Sequence, residues 1–256
     1  MQGAHALITG AGTGIGRAIA LRLAGDGWAV SLFGRREGPL GETAEIIAGV
    51  GPGPVFVAPC DIRDAGQVGA AFGAAVAKLG PISALVANAG IGGANTPGSG
   101  DRFEDLVATN LVGTYHCLRT AQTHLAAGPE TRHMVVISSI LARFGVPGYT
   151  GYCASKTGLL GLVRAMAHEL AEQNVQVNAV CPGWVNTQMA RDGVRGMAEG
   201  MGCTYDEAYA QAMSAVPLGR MSEPEHIAGM VSWLLGPDAQ GVTGQAMDMN
   251  NGAYMI

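Results

Sequence analysis

The sequence predicts an α/β fold: one domain, residues 1–256, built on a doubly wound parallel sheet of about seven strands with helices on both faces. Three observations predict it. Short apolar runs that read as buried strands alternate with stretches of helical apolar spacing along the whole chain, and that alternation builds a parallel sheet covered on both sides. A glycine-rich turn, Thr9-Gly10-Ala11-Gly12-Thr13-Gly14-Ile15-Gly16, stands between the first such strand and the first such helix. No repeat, charge run or interdomain linker divides the 256 residues, a length that one large α/β domain accommodates.

Composition excludes several classes of function. Hydrophobic residues make up 48% of the chain, ample for a core, while charged residues make up only 14%. A surface this short of charge is explained by broad subunit contacts. The net charge of −5, with no basic run interleaved with aromatics, argues against a nucleic-acid partner. No apolar run approaches the length of a membrane span. Met1-Gln2-Gly3-Ala4-His5 leads straight into a strand-like run, which leaves no room for a signal peptide. The five cysteines (60, 117, 153, 181, 203) are odd in number and scattered, with no Cys-x-x-Cys or Cys/His cluster. Neither a zinc site nor a disulfide framework is expected, and a reducing cytoplasm fits best.

In chain order, 4–9 is the first strand, and Ile15, Ile19 and Leu23 give the helix after the glycine turn its apolar face. Glycines let backbone approach a pyrophosphate, and the helix N-terminus offers free N–H groups with a positive dipole end. Gly25-Asp26-Gly27 stops that helix, and 28–33 is the second strand. At its end stand Gly34-Arg35-Arg36, where a dinucleotide fold reads the adenosine ribose. A carboxylate there would take a 2′-hydroxyl. Glycine and two arginines instead favour the 2′-phosphate of NADP(H), since guanidinium–phosphate bonds are charge-assisted; NAD(H) is the alternative. Residues 40–48 form a helix and 55–58 the third strand. Asp61 then either accepts from an adenine amino group or caps the helix that starts near Asp64 and runs through 67–79. The fourth strand, 82–87, closes on Asn88-Ala89-Gly90. A Gly/Pro/Ser-rich loop, 91–100, is placed near the substrate.

Residues 103–126 read as one long helix containing Asn110, a poor helix former, which is either solvated or turned inward at the site. The fifth strand is 134–139, the next helix 149–172, the sixth strand 175–180, and Pro182-Gly183-Trp184-Val185-Asn186-Thr187 turns away from it. Residues 184–215 are rich in Met and Gly, with Tyr205 and Tyr209 among them. The segment reads either as an ordinary helical hairpin with a Met-rich core or, the preferred reading, as a mobile lid over an apolar substrate. A helix over 223–235 with Ser222 as N-cap and Glu225 three residues on, then a strand over 245–249, complete the chain. The glycine turn, Gly34–Arg36, Asp61, Asn88–Gly90, Ser139 and Pro182–Thr187 all follow strand ends, where ligands of open α/β sheets sit.

The chemistry concentrates in Ser139 to Lys156. Tyr152 and Lys156 are four apart and share a helix face. A phenol can exchange a proton with a substrate oxygen, but its free pKa is about 10. Working near neutral pH requires stabilising the phenolate by about 4 kcal/mol, and a nearby ammonium does this. The Ser139 hydroxyl can hold the reacting oxygen.

Assembled in order, Thr9-Gly10-x-x-x-Gly14-x-Gly16, Asn88-Ala89-Gly90, Asn110, Ser139, Tyr152-x-x-x-Lys156 and Pro182-Gly183 with Thr187 resemble the single-domain short-chain dehydrogenase/reductase family over nearly the full length. The resemblance implies a Rossmann-type fold and an oxidoreductase that interconverts a ketone and a secondary alcohol. It implies Tyr152 as acid/base and Lys156 as the residue that lowers its pKa and binds the nicotinamide ribose. Ser139 would polarise the carbonyl, and Asn110 would support a proton-relaying water. Gly10, Thr13, Gly14, Ile15 and Gly16 would lie at the pyrophosphate, Asp61 and Ile62 at adenine, and Asn88, Ala89 and Gly90 beside the adenosine. Pro182, Gly183, Val185 and Thr187 would lie at the nicotinamide end. The pattern departs from NADP-using relatives in one respect: Ala11 and Thr13 are not basic, so Arg35 and Arg36 must suffice. The 184–215 segment and Gly92-Gly93 are similar to reductases of bulky keto substrates, so a bulky, apolar carbonyl or alcohol substrate is implied. No metal is needed for this chemistry.

Overall fold

The computed structural model describes every residue except Met1, Gln2, Pro52 and Ile256. The first two residues of the start expected to hold no signal peptide therefore lie outside the described residues. Seven parallel strands, β1 (His5–Thr9), β2 (Ala29–Gly34), β3 (Val55–Pro59), β4 (Ala84–Ala87), β5 (Arg132–Ile137), β6 (Val175–Pro182) and β7 (Ala246–Met249), pair in the order β3-β2-β1-β4-β5-β6-β7. The central strands are buried along their whole length, which is why they read as continuous apolar runs.

Alternation within each strand sends neighbouring side chains to opposite faces. Leu7, Phe33, Leu85, Met134 and Val177 meet one layer: α3 (Ala65–Leu79), α5 (Thr114–Gln122) and α6 (Thr150–Leu170). Ile8, Leu32, Val86, Val135 and Val180 meet the other: α1 (Gly14–Gly25), α2 (Glu37–Ala48) and α9 (Pro224–Leu234). Phe33 stacks on Phe72 of α3 with ring centroids 5.0 Å apart. The order in which strands are added reverses between β1 and β4, and a crevice opens there at the strand ends.

Four local expectations are corrected. The 103–126 helix is not uniform: a short α-turn, α4 (Phe103–Val107), passes through a wide π-helical turn (Ala108–Gly113) into α5. The wide turn carries Asn110 fully buried, and such turns recur at functional sites because they re-aim one side chain. Helix α5 stops at Gln122 because the following backbone pairs with Ile82, whose N–H donates to the His124 carbonyl (2.9 Å) while its carbonyl accepts from Ala126 (2.8 Å). Ser222 is not the cap of α9. Its backbone bridges to Trp184 and Asn186, Pro224 takes the first helical position, and Glu223 caps with His226 as its partner. Asp61 does not cap the helix after it: Asp64 accepts the Gly66 and Gln67 N–H groups (2.8 and 3.0 Å), while Asp61 grips Arg63 at 2.6 Å. The fifth strand ends at Ile137, not Ser139, and Ser139 opens a short turn by accepting the Leu141 N–H (3.1 Å).

Residues 184–215 form two helices, α7 (Gln188–Met201) and α8 (Tyr205–Ser214), packed on each other around Val194, Ala198, Ala208, Ala212 and Met213. The buried residues of this pair are mostly Val and Ala, whereas Met189 and Met201 are exposed. Gly202, at φ +65°, ends α7, and Thr204 starts α8 with a reciprocal Glu207 cap.

Candidate active site

The glycine turn is shaped by close packing. A methyl group on Gly16 would overlap the Gly10 carbonyl oxygen and the Asn88 amide. Gly10 itself sits at φ +67°, and a methyl on it would stand 2.9 Å from Ala89 Cα. Thr9 and Asn88 lock β1 to β4 here. Thr9 Oγ1 accepts from the N–H groups of Asn88 and Ala89 (both 3.0 Å), and Asn88 Nδ2 donates to the carbonyls of Thr9 (3.0 Å) and Gly10 (3.3 Å). The Asn88 side chain therefore faces the turn's backbone. Gly16→Ala is expected to cost about 3 kcal/mol or more through this overlap and to abolish dinucleotide binding, read by urea unfolding and by quenching of protein fluorescence on adding NADPH.

Thr13, the N-cap of α1, makes no side-chain cap bond and lies in a cleft lined also by Gly10, Gly12, Gly34, Arg35, Arg36, Asp61, Ile62, Ala89 and Gly90. The glycine cradle, the free helix end and the flanking guanidinium groups suit a pyrophosphate and its adenosine. Pro39, Leu40, Cys60, Ile91 and Thr109 complete the wall. No spacing in the sequence marks these five, because only the sheet order carries their loops to this cleft. Arg35 and Arg36 are exposed at its lip, and neither makes a hydrogen bond or ion pair among the described residues. Arg63, helped by Arg35, holds the Asp61 carboxyl below the usual carboxylate range.

The other half of the site lies across Gly90. A methyl there would stand 3.0 Å from Asn110 Oδ1 and 3.5 Å from Lys156 Nζ, so the cleft runs directly into the reactive side chains. Asn110 bonds both backbone groups of Ile91 (2.8 and 3.0 Å) and donates to Ser155 Oγ (3.1 Å), which in turn donates to the Tyr152 carbonyl (2.8 Å). Ser155, absent from the sequence expectations, thus ties the wide turn to α6. Tyr152 is half-buried; Lys156 is buried, its Nζ 5.7 Å from the Tyr152 ring centre and donating to the Ile137 carbonyl at 2.9 Å. Burial pushes the Tyr152 phenol above its ordinary value, with the Ser139 hydroxyl pulling the other way, and pushes Lys156 down to about 8. In the protein alone, desolvation therefore sets the direction of the phenol's shift. Ser139 is the group that opposes desolvation.

The residues expected at the nicotinamide end come together at the end of β6. Gly183 donates to the Met249 carbonyl (2.9 Å), Val185 is buried, and Thr187 caps α7 by accepting from Ala190 (3.3 Å). Thr187 Cγ2 lies 3.2 Å from a methyl placed on Gly14, so this segment meets the glycine turn. Pro182 is the last residue of β6, and Ile15 packs at the margin of the α1-side core. Among the described residues no three His, Cys, Asp or Glu side chains gather where they could hold a metal ion, and no helix is long and apolar enough to cross a membrane.

Fold and site together are those of a dinucleotide-binding α/β oxidoreductase. The sequence model of a family described as enoyl-(acyl carrier protein) reductase matches residues 10–254. A putative ketoacyl reductase of Streptomyces coelicolor is 36% identical over 252 residues, covering 96% of this chain and 95% of the relative. The 3-oxoacyl-(acyl-carrier-protein) reductase FabG of Staphylococcus aureus is 34% identical over 255 residues, 98% of each chain. The crystal structure of actinorhodin polyketide ketoreductase with NADPH superimposes with a TM-score of 0.90 at 33% identity, covering 98% of this chain and 97% of that one. Levodione reductase does so at 0.89 and 27% identity, covering 98% of both. The chain belongs to the short-chain dehydrogenase/reductase family, oxidoreductases that work on the alcohol–ketone pair with a nicotinamide cofactor.

Proposed function

We propose that this protein is an NADP(H)-dependent reductase of a bulky, apolar ketone, with Tyr152 as its acid/base. The cofactor reading is carried by the lip of the cleft: Gly34 stands where a carboxylate would repel a 2′-phosphate, and two arginines without partners among the described residues follow it. The NADPH-bound ketoreductase structure supports the same choice.

When bound, the cofactor supplies or accepts hydride. The chain's own residues do the rest. Ser139 donates its hydroxyl hydrogen bond to the substrate oxygen and holds it beside Tyr152. Burial keeps the phenol protonated at neutral pH, so Tyr152 enters a reduction already able to give its proton to the forming alkoxide. Lys156, next to it, stabilises the phenolate left behind and binds the nicotinamide ribose. Asn110 holds the Ile91 backbone and, through Ser155, the first turns of α6, and supports the water that returns a proton toward Lys156. Asp61, Ile62, Ala89 and Gly90 line the adenosine half; Pro182, Gly183, Val185 and Thr187 line the nicotinamide half.

Helices α7 and α8 act as the lid over the substrate. Met189 of α7 would lie 2.8 Å from a methyl placed on Gly92, so the hairpin rests on the 91–100 loop, and its soft side chain adapts to varied apolar shapes. The ketoacyl and 3-oxoacyl reductases among the relatives support a 3-oxoacyl thioester as the first substrate to try. Exposed Phe103, Val112, Tyr115, Leu218, Trp233 and Met255 support assembly as a homotetramer or homodimer.

The test is reduced-nicotinamide absorbance with NADPH and NADH side by side, against 3-oxoacyl thioesters and cyclic and aryl ketones. Turnover favouring NADPH is expected; a preference for NADH would remove the phosphate-reading role of Arg35. Gly34→Asp sharpens the test. A side chain at Gly34 meets only Leu40, at ordinary contact distance (3.5 Å), so the variant folds, and the new carboxylate should shift the NADPH/NADH ratio of kcat/KM toward NADH by about 100-fold, about 2.7 kcal/mol.

A further inference from the structure

We infer that Asn95 is a positioning residue: from the substrate-side loop it caps the catalytic helix and sets the position of Tyr152. The inference rests on the acid/base role proposed for Tyr152. Helix α6 begins at Thr150, and its own N-cap residue, Tyr149, makes no side-chain cap bond. Its free N–H groups need a partner from elsewhere. Asn95, more than fifty residues upstream and buried, supplies one: Oδ1 accepts the Gly151 N–H at 2.9 Å and the Thr150 hydroxyl at 3.3 Å. Gly151 immediately precedes Tyr152. The Asn95 backbone N–H donates to the Gly148 carbonyl (2.8 Å), which doubles the attachment.

The amide nitrogen works in the opposite direction. Asn95 Nδ2 donates to Asp101 Oδ1 and to Thr150 Oγ1, both at 3.0 Å, and Asp101 Oδ1 also accepts the Phe103 N–H that starts α4 (3.0 Å). One side chain therefore joins the loop to both helices that flank the reactive groups. The seam it fastens is tight, since a methyl on Gly151 would stand 3.0 Å from Phe103 Cα and 3.1 Å from Leu106 Cδ1. A loop that touches substrate and the helix that carries the acid are thereby kept in one register. Small displacements of a reacting group cost rate steeply.

The pattern of donors and acceptors gives a test that a bulk structural role would not pass. Asn95→Asp keeps the acceptor for Gly151 but sets two carboxylates together. Adding Asp101→Asn reverses the polarity and restores the bond between the two side chains. The new amide at position 101 can donate to the new carboxylate at position 95 and still accept from the Phe103 N–H. Asn95→Ala, Asn95→Asp, Asp101→Asn and the double variant would be compared in the full chain. The readouts are kcat, KM for the ketone, NADPH dissociation constant, product enantiomer ratio and amide hydrogen exchange of residues 150–156.

Expected are a fall in kcat of about tenfold or more for Asn95→Ala and Asn95→Asp, NADPH affinity within about twofold, and faster exchange confined to 150–156. In the double variant kcat and exchange should return to within about threefold of the parent. An unchanged kcat and exchange in Asn95→Ala, a double variant no better than Asn95→Asp, or losses that merely follow a general fall in melting temperature and NADPH binding would each overturn the inference. Exchange also separates the two readings. A parent chain that binds NADPH but reduces no ketone defeats the proposed function, and Asn95→Ala with unaltered exchange defeats the positioning role whether or not turnover is seen.

Discussion

Tyr152→Phe is expected to lower kcat for ketone reduction by about 10³-fold or more while leaving NADPH binding within about twofold. General acid catalysis contributes about 10²–10⁴ in rate, and Phe keeps the ring while removing the only atom that can give up the proton. The variant should fold normally, since the ring is kept and only a hydroxyl is lost, at a cost of about 1 kcal/mol or less. The parent enzyme should show the matching pH asymmetry. Burial raises the phenol, so the proton donor is present through neutral pH, and reduction there should be insensitive to pH from this group. Alcohol oxidation needs the phenolate and should accelerate as pH rises. Parallel stopped-flow measurements of both directions from pH 6 to 10 check this; an oxidation rate flat over that range, or a Phe variant retaining a tenth of the activity, would remove Tyr152 from the reaction.

Lys156→Met is expected to abolish turnover and to make the protein more stable. Burial lowers this ammonium from 10.5 to about 8, a displacement that corresponds to about 3 kcal/mol of folding free energy. For a cation whose folded pKa is depressed, the unfolded chain binds more protons between pH 8 and 10.5, so the cost is fully present below about 8 and disappears as pH approaches 10.5. Methionine is of similar length and uncharged. It loses the bond to the Ile137 carbonyl, about 1 kcal/mol, which leaves a net gain of about 2 kcal/mol, or a melting temperature higher by about 4 °C at pH 7. The difference between parent and variant should shrink from pH 8 to pH 10. Differential scanning calorimetry across that range reads it, and a variant less stable than the parent at pH 7 would contradict the burial cost. A lysine kept at that cost is the expected signature of a group retained for chemistry.

Much of this fold was legible in the chain. Each central strand is a short apolar run because both its faces are covered, and most helical stretches announce themselves by apolar spacing or by a stop such as Gly25-Asp26-Gly27 or Gly80-Pro81. The glycine turn, the Tyr152/Lys156 pair and Gly34-Arg35-Arg36 were legible for a different reason: their chemistry depends on neighbours within one turn or loop, and local spacing records that. Errors fell where a distant partner overrides the local rule. Ser222 has a cap's sequence, but its backbone is taken by Trp184 and Asn186. Asn110 breaks the regularity of its helix because Ile91 and Ser155 bind it from two other elements. Helical spacing put Tyr152 and Lys156 side by side, whereas the burial that raises the phenol and lowers the ammonium comes from the packing around them.

The sequence by itself determined the class of fold and the order of its elements, and pointed to the candidate reacting groups, because hydrophobic period, turn chemistry and helical spacing act over a few residues. Only the tertiary structure decided which loops wall the cleft, which carboxylate caps α3, that Asn88 braces the turn from behind, and that Asn95 reaches across to the helix of Tyr152. Those are pairings between residues set apart in the chain. They are fixed by strand order and close packing, and no short-range pattern in the chain encodes them.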